Sequence, residues 1–292
     1  MERVLKWRSG VLLATGAIMI LVWVLIYFSL FTPVAKDSLL SVTFLNVGQG
    51  DAILIETFDG VQVLVDGGTG GQVVRELAKV MPAFDRSLDM IVATHFDQDH
   101  IGGLVDVLGR YKVDYVAVSN NQSVSVVAKT FQQAIANSVA KKHLVQPAEQ
   151  MMLGASTTLL FLSPPEHAED LETNTASIVF KLSFGEIDFM FTGDAPLGIE
   201  DYLAKVWGKT LESEVLKLGH HGSRTSSGEN FLATVRPQFA VVSAGKNNSY
   251  GHPHQEVIER VKKTGAEILN TAEVGRIRFL SDGKKVWVEG ER

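Results

Sequence analysis

The longest apolar run lies near the N-terminus. From Ser9 to Ala35 no residue carries a charge, and residues 11–31 are almost wholly apolar. A helix of about 20 such residues crosses a bilayer. Residues 11–31 are therefore expected to form a transmembrane anchor, between a cytoplasmic N-terminus (1–10) and a linker (32–38). Arg3, Lys6 and Arg8 precede the run. By the positive-inside rule this predicts a single-pass protein of the cell membrane whose remaining chain is extracytoplasmic. A cleaved signal peptide fits less well. Its apolar region is usually about 7–15 residues, and Pro33-Val34-Ala35 is a poor small-x-small site.

Beyond residue 38 the apolar runs shorten to strand length and alternate with segments of helical period. Strands are expected at 40–46, 51–57 and 61–66, separated by Gly-rich turns, which predicts an antiparallel meander. A helix at 72–81, a strand at 90–94, a helix from about Ile101, a strand at 113–119 and a helix at 126–140 follow. The second half repeats the style. Strands fall at 157–162, 177–182, 187–192, 213–218, 239–243 and 266–270, helices at 197–206, 229–235 and 254–263, and a hairpin at 276–280 and 285–289. Two batches of strands, each with its own helices, predict an α/β (α+β) fold: an αββα sandwich occupying 39–292 as one domain.

Composition narrows the chemistry. The chain has no cysteine, which excludes disulfides, thiolate metal sites and a cysteine nucleophile. Its net charge is −6, so no global positive field draws in nucleic acid. Such a substrate would need local cations or metal ions to neutralise its phosphates.

The strongest local signal is Thr94-His95-Phe96-Asp97-Gln98-Asp99-His100, which follows the apolar run Met90-Ile91-Val92-Ala93 and precedes Gly102-Gly103. Nitrogen and carboxylate donors in this density suit divalent cations. In an extended loop His95 and Asp97 would point the same way and share one metal, with Asp99 and His100 reaching a second. Six of the eight histidines fall in Gly-flanked segments: here, in Gly219-His220-His221-Gly222, and in Gly251-His252-Pro253-His254. Core histidines would not cluster so. His143 and His167 stand apart and read as ordinary. Asp66 and Asp194 each end an apolar strand. Either one alone reads equally well as a helix cap or turn residue. Beside the histidine loop, a buried carboxylate that needs a partner is the better reading.

These stretches resemble the metallo-β-lactamase superfamily, and more closely the C-terminal hydrolase domain of ComEC-type competence proteins. The resemblance is carried by Leu45-Asn46-Val47-Gly48-Gln49-Gly50-Asp51-Ala52, Val65-Asp66-Gly67-Gly68, the histidine loop, Phe191-Thr192-Gly193-Asp194, Lys217-Leu218-Gly219-His220-His221-Gly222-Ser223 and Asn248-Ser249-Tyr250-Gly251-His252-Pro253-His254. They occur in the family's order. The resemblance implies that His95 and Asp97 bind a first metal, that Asp99, His100 and His220 bind a second, that Asp194 bridges the two, and that Asp66 holds the loop. The chain departs from the superfamily pattern twice. Asp97 stands where the loop usually has a second histidine, and Asn174 where an isolated third histidine is expected. Oxygen donors make the first site harder. Two divalent ions are expected, manganese or zinc, with magnesium also suited. The family's multi-helix channel has no counterpart beside the single apolar run, so a role in DNA uptake does not carry over.

The function this implies is a membrane-anchored phosphodiesterase or nuclease acting on a phosphodiester, DNA among the candidates, through a hydroxide that bridges two metals. His252, His221 and Asp99 are the expected catalytic groups; Ser223, Arg224, Asn174 and Asn248 are expected to contact substrate. Two alternatives stay open. One is an envelope-directed hydrolase of phosphoester, amide or lactone bonds, because a fold does not fix a reaction. The other is a non-catalytic, metal-containing binding module. No protein partner is predictable.

Overall fold

The computed structural model describes residues 38–290, together with Met19, Ile20, Val22 and Trp23. Those four are helical and exposed, and the rest of the expected anchor, 11–31, lies outside the described residues. Among the described residues no helix is long and apolar enough to cross a membrane. Leu39–Arg292 is a compact unit distinct from Met1–Ser38, and it carries the site.

Its first half supplies β1 (Leu40–Phe44), β2 (Ile53–Glu56), β3 (Gln62–Val65), α1 (Gln72–Val80), β4 (Ser87–Val92), α2 (Gln98–Leu108), β5 (Lys112–Val118), α3 (Val126–Asn137) and β6 (Lys141–Leu144). The second half supplies β7 (Gln150–Leu153), β8 (Thr157–Phe161), β9 (Phe180–Phe184), β10 (Ile187–Phe191), α4 (Leu197–Trp207), β11 (Val215–Lys217), α5 (Glu229–Val235), β12 (Phe239–Val242), α6 (Gln255–Lys262) and β13 (Glu267–Asn270). A short helix, α7 (Thr271–Val274), leads into the hairpin β14 (Ile277–Ser281) and β15 (Val286–Val288). The strands form two sheets, ordered β15-β14-β1-β2-β3-β4-β5-β6 and β13-β12-β11-β10-β9-β8-β7. The C-terminal hairpin thus returns to the first sheet, where β14 pairs antiparallel with β1.

Each sheet passes from an antiparallel part to a parallel part. β1–β3 form a meander, as expected, and β3 to β6 then run parallel. In the second sheet β7 to β10 are antiparallel and β10 to β13 parallel. Parallel strands need crossover helices, and helices cover both faces. The core between the sheets is rich in phenylalanine: Phe44, Phe161, Phe180, Phe189, Phe191 and Phe279. Leu77, Leu104 and Phe131 of α1–α3 pack on the outer face of the first sheet. Leu203, Phe231 and Val257 of α4–α6 do so on the second. This is the expected αββα sandwich.

Three departures from the sequence expectation have physical causes. β6 and β7 were not anticipated, because they read Lys-Lys-His-Leu and Gln-Met-Met-Leu and lie largely exposed at the sheet edges, where polar side chains are favoured. The helix expected to run to residue 140 therefore stops at Asn137. Residues 177–179 extend towards the histidine loop instead of joining β9, with the Ile178 amide donating to the Thr94 carbonyl at 2.8 Å. Helix α2 begins at Gln98, earlier than expected, so Asp99 and His100 lie in its first turn rather than in an extended loop.

Candidate metal centre

The parallel strands of both sheets end at one rim, and their C-terminal loops converge there. β3 delivers Asp66, β4 delivers Thr94 and His95, and the first turn of α2 delivers Asp99 and His100. β10 leads to Asp194 and β11 to His220 and His221. The helical turn at Gln98 separates Asp99 and His100 from His95 and Asp97, which gives the loop two faces.

Each histidine is held through Nδ1. The His100 Nδ1 lies 2.7 Å from Asp66 Oδ2, a carboxylate that can only accept, so the ring donates there. Thr94 Oγ1 donates to the same Asp66 oxygen at 2.6 Å, which leaves it to accept from His95 Nδ1 at 3.0 Å. The His221 Nδ1 donates to the Ser243 carbonyl at 2.8 Å. Thr225 Oγ1 donates to Ser223 Oγ at 3.0 Å and receives the His220 Nδ1 at 3.1 Å. All four rings therefore present Nε2, with the tautomer fixed by the group behind it. Asp66 also accepts the Thr94 amide at 2.8 Å. Both of its oxygens are thus taken up by loop and ring donors.

The four Nε2 atoms surround one carboxylate oxygen. Asp194 Oδ2 lies 3.4 Å from His100, 3.5 Å from His221, 3.7 Å from His220 and 3.8 Å from His95. Two donors about 2.1 Å from one ion, at the angles of tetrahedral or octahedral coordination, stand about 3.0–3.4 Å apart. Asp99 Oδ2 is 3.2 Å from His221 Nε2, which in turn is 3.3 Å from His100 Nε2. Asp99, His100, His221 and Asp194 thus make a compact donor set. The second group is looser: His95 Nε2 lies 3.8 Å from Asp97 Oδ2, with His220 on the same Asp194 oxygen. His95 Nε2, Asp194 Oδ1 and Asp51 Oδ1 are buried without a hydrogen-bond partner. Buried polar atoms left so are expected to meet a ligand or ion, and the donor set fits divalent cations. Asp51, His100, Asp194 and His221 also each offer an atom within 4.8 Å of one another.

Charge is shared tightly here. Burial pushes the His95 ring down to about 3, with His100 adding to the effect, so it is a neutral donor. Burial opposes charge on His221 as well, but Asp194 and Asp51 outweigh it and raise the ring to about 9. Burial would lift Asp194, yet His221, His100 and Lys217 pull it well below the usual carboxylate range. Burial lifts Asp97, whose Oδ1 accepts from the Thr173 hydroxyl at 2.9 Å.

The remaining sequence candidates line the rim. The ring centroid of His252 lies 5.5 Å from that of His220 and 6.3 Å from that of His221. Burial and the imidazoles of His220, His221 and His254 push it down to about 4. Asn248 uses its amide within its own loop, donating to the Gly245 and His252 carbonyls and accepting from the amides of Tyr250 and His252. Ser223 is buried and accepts from Thr225, while Arg224 is exposed, 3.8 Å from Glu256. Asn174 follows Thr173 and keeps a buried Oδ1 with no partner. His143 pairs with Glu149 at 2.7 Å and His167 is exposed, 3.5 Å from Glu169. Neither belongs to the centre.

Sequence reasoning passed over Asp51 and Lys217, and assigned His221 to catalysis rather than to the compact donor set. Asp51 follows the turn Gly48-Gln49-Gly50, and a Cβ at Gly50 would strike the Asp99 carbonyl, so the turn lies against the histidine loop. The available signals were an acid opening the apolar run Ala52-Ile53-Leu54-Ile55 and a lone lysine inside Val215-Leu216-Lys217-Leu218.

Residues 45–137 match the family model described as metallo-beta-lactamase superfamily. ComE operon protein 3 of Bacillus subtilis (strain 168) is 29% identical over 276 residues, covering 87% of this chain and 34% of that protein. Competence protein ComA of Neisseria gonorrhoeae is 32% identical over 243 residues, covering 82% of this chain and 32% of that protein. Recombination protein 2 of Haemophilus influenzae is 29% identical over 282 residues, covering 94% and 33%. The chain spans about a third of the length of these relatives. Among solved structures, the metallo-beta-lactamase fold protein YhfI from Bacillus subtilis superposes with a TM-score of 0.56 at 15% identity, covering 86% of this chain and 100% of that one. CmlA, a diiron beta-hydroxylase from Streptomyces venezuelae, gives 0.54 at 16% identity, covering 82% and 53%. At such identities the likeness is one of fold.

Proposed function

We propose that this chain, which carries a metallo-β-lactamase domain and is similar to ComEC-type competence proteins, is a metal-dependent phosphodiesterase tethered to the membrane by residues 11–31. The observation that carries the reading is the set of four imidazoles, each held at Nδ1, presenting Nε2 to one oxygen of Asp194. Asp99, His100, His221 and Asp194 would hold one divalent ion; His95, Asp97 and His220 would hold a second, against the same Asp194 oxygen. Ions bound there would supply Lewis acidity towards a phosphoryl oxygen and lower the pKa of water.

The protein's own groups divide the remaining work. Asp66 and Thr94 keep His95 and His100 in the tautomer that offers Nε2. Burial of the centre excludes bulk water, which strengthens every electrostatic contact inside it. His252, a neutral ring beside His220, donates a hydrogen bond to a phosphoryl or leaving oxygen and carries no spare proton at neutral pH. Exposed Arg224 and Lys246 give the rim positive charge for flanking phosphates. Carboxylates in the donor set favour hard ions, manganese and magnesium beside zinc. Relatives named for competence and recombination support DNA as the phosphodiester.

The test strips the full-length protein of metal and assays single-stranded DNA, bis-p-nitrophenyl phosphate and a lactone with Mn²⁺, Mg²⁺ or Zn²⁺. Phosphodiester cleavage restored by Mn²⁺ and lost in Asp99→Ala is the expected result. Turnover confined to the lactone would replace the reading with a carbonyl hydrolase. Bound metal without turnover of any substrate would make the centre a binding module.

A further inference from the structure

Lys217 is the buried charge that the hydrolytic reading leaves unused. It sits in β11 between Leu216 and Leu218, both fully buried, and its own side chain is 1% exposed. An ammonium in such a strand is costly unless it is paired and hydrogen-bonded. Here two carboxylates and a carbonyl surround it. Nζ pairs with Asp51 Oδ2, donates to the Gly193 carbonyl at 3.0 Å and lies 3.5 Å from Asp194 Oδ1. Asp51 comes from the β1–β2 turn of the first sheet; its amide donates to the Asp99 carbonyl at 3.2 Å and its carbonyl accepts from Gly68 at 2.8 Å. Lys217 therefore ties the loops of the first sheet to a strand of the second, across the floor of the centre.

The two oxygens of Asp194 face different partners. Oδ1 faces Lys217, while Oδ2 faces the four imidazoles. Asp51 lies close enough to His100 and His221 to be a ligand, but one of its oxygens belongs to the ammonium.

We propose that Lys217 is a resident cation of the metal centre. Its ammonium takes up one oxygen of Asp51 and turns Asp194 so that a single oxygen faces the four histidines. It also holds the acidic cluster together when no metal is bound. Lys217 is thus a positioning residue. The metal part of this inference rests on the hydrolase reading; the charge balance does not.

The experiment is a double-mutant cycle on thermal unfolding of the full-length protein, first in EDTA and then with saturating Mn²⁺. The variants are Lys217→Met, Asp51→Asn and the two combined. Each single variant removes the direct partner of a buried charge, so in EDTA its Tm is expected to fall on the order of 10 °C. The combined variant leaves neither charge of the pair unmatched and is expected to recover most of that loss. Mn²⁺ should raise the Tm of Lys217→Met more than that of the wild type, because the metal then supplies the missing positive charge. If Lys217→Met does not fold in EDTA, the combined variant should still fold, and that contrast supports the same conclusion. A Lys217→Met protein as stable as wild type in EDTA would overturn the proposal. So would a combined variant no more stable than the singles. If Mn²⁺ stabilises none of the proteins while the cycle in EDTA holds, the metal reading fails and the charge role of Lys217 stands.

Discussion

At the scale of single residues, the centre depends on which nitrogen each histidine offers, and the groups behind the rings decide that. Asp66 is the most connected of them, accepting the Thr94 amide and hydroxyl and the His100 ring. Asp66→Ala should weaken metal affinity about 10–100-fold, as loss of a group orienting a ligand typically does. Competition against a chromophoric chelator measures this, and unchanged affinity would remove Asp66 from the account. The rings also carry protons that a metal must displace. His100 and His221 face each other at 3.3 Å through Nε2, and His221 is raised to about 9. Below that pH a proton occupies the pair, so metal binding should release at least one proton, and apparent affinity should climb from pH 6 towards pH 9. Calorimetry in buffers of different ionisation enthalpy reads the release; identical heats in all buffers would contradict it. Most of the side chains that converge here were marked in the sequence, because candidate donors cluster next to Gly-flanked strand ends. The choice between His220 and His221 was not, since adjacent positions are separated only by backbone geometry. Both residues adopt positive φ, 49° and 55°, and this turns their rings to different partners.

At the scale of elements, the loop carrying His220 and His221 is held by a helix it does not belong to. Glu200, in the first turn of α4, is buried and accepts the amides of Ser227 and Gly228 at 2.7 and 2.8 Å. Arg260 of α6 donates to the Ser226 and Ser227 carbonyls at 3.3 and 2.7 Å. Burial pushes the Glu200 carboxyl up from 4.5 to about 7, although the two amides favour its charge. A folded-state value above the unfolded one means the folded protein holds the extra proton. The contribution of Glu200 to stability is then full below about pH 4.5 and is lost as pH rises through about 7. Glu200→Gln removes that titration, so its Tm relative to wild type should improve between pH 5 and pH 7.5. Unfolding scans at fixed ionic strength test this, and a Tm difference independent of pH would refute it. The elements themselves were legible where one face is buried, as in β1–β3 and α5. They were not legible at the polar sheet edges of β6 and β7, nor at 177–179, where the chain serves the site instead of a ladder.

At the scale of the molecule, the two sheets bring candidate ligands together that lie far apart in sequence. The first sheet gives His95, Asp97, Asp99 and His100; the second gives Asp194, His220 and His221. Neither half holds a complete donor set, so metal binding and the packing of the two halves should be coupled. Removing metal is expected to lower the Tm of the full-length protein, and Mn²⁺ to restore it; a Tm indifferent to metal would contradict that coupling. The sandwich was foreseeable from two batches of strands and helices. The pairing of β14 with β1 was not, because nothing local marks a hairpin as belonging to the sheet at the other end of the chain. The most direct measurement of the central claim follows hydrolysis of bis-p-nitrophenyl phosphate as metal-free protein is titrated with Mn²⁺. The account predicts turnover that rises saturably with bound metal and falls about a hundredfold or more in Asp194→Asn. Turnover that is independent of added metal, or that survives in Asp194→Asn, would contradict it.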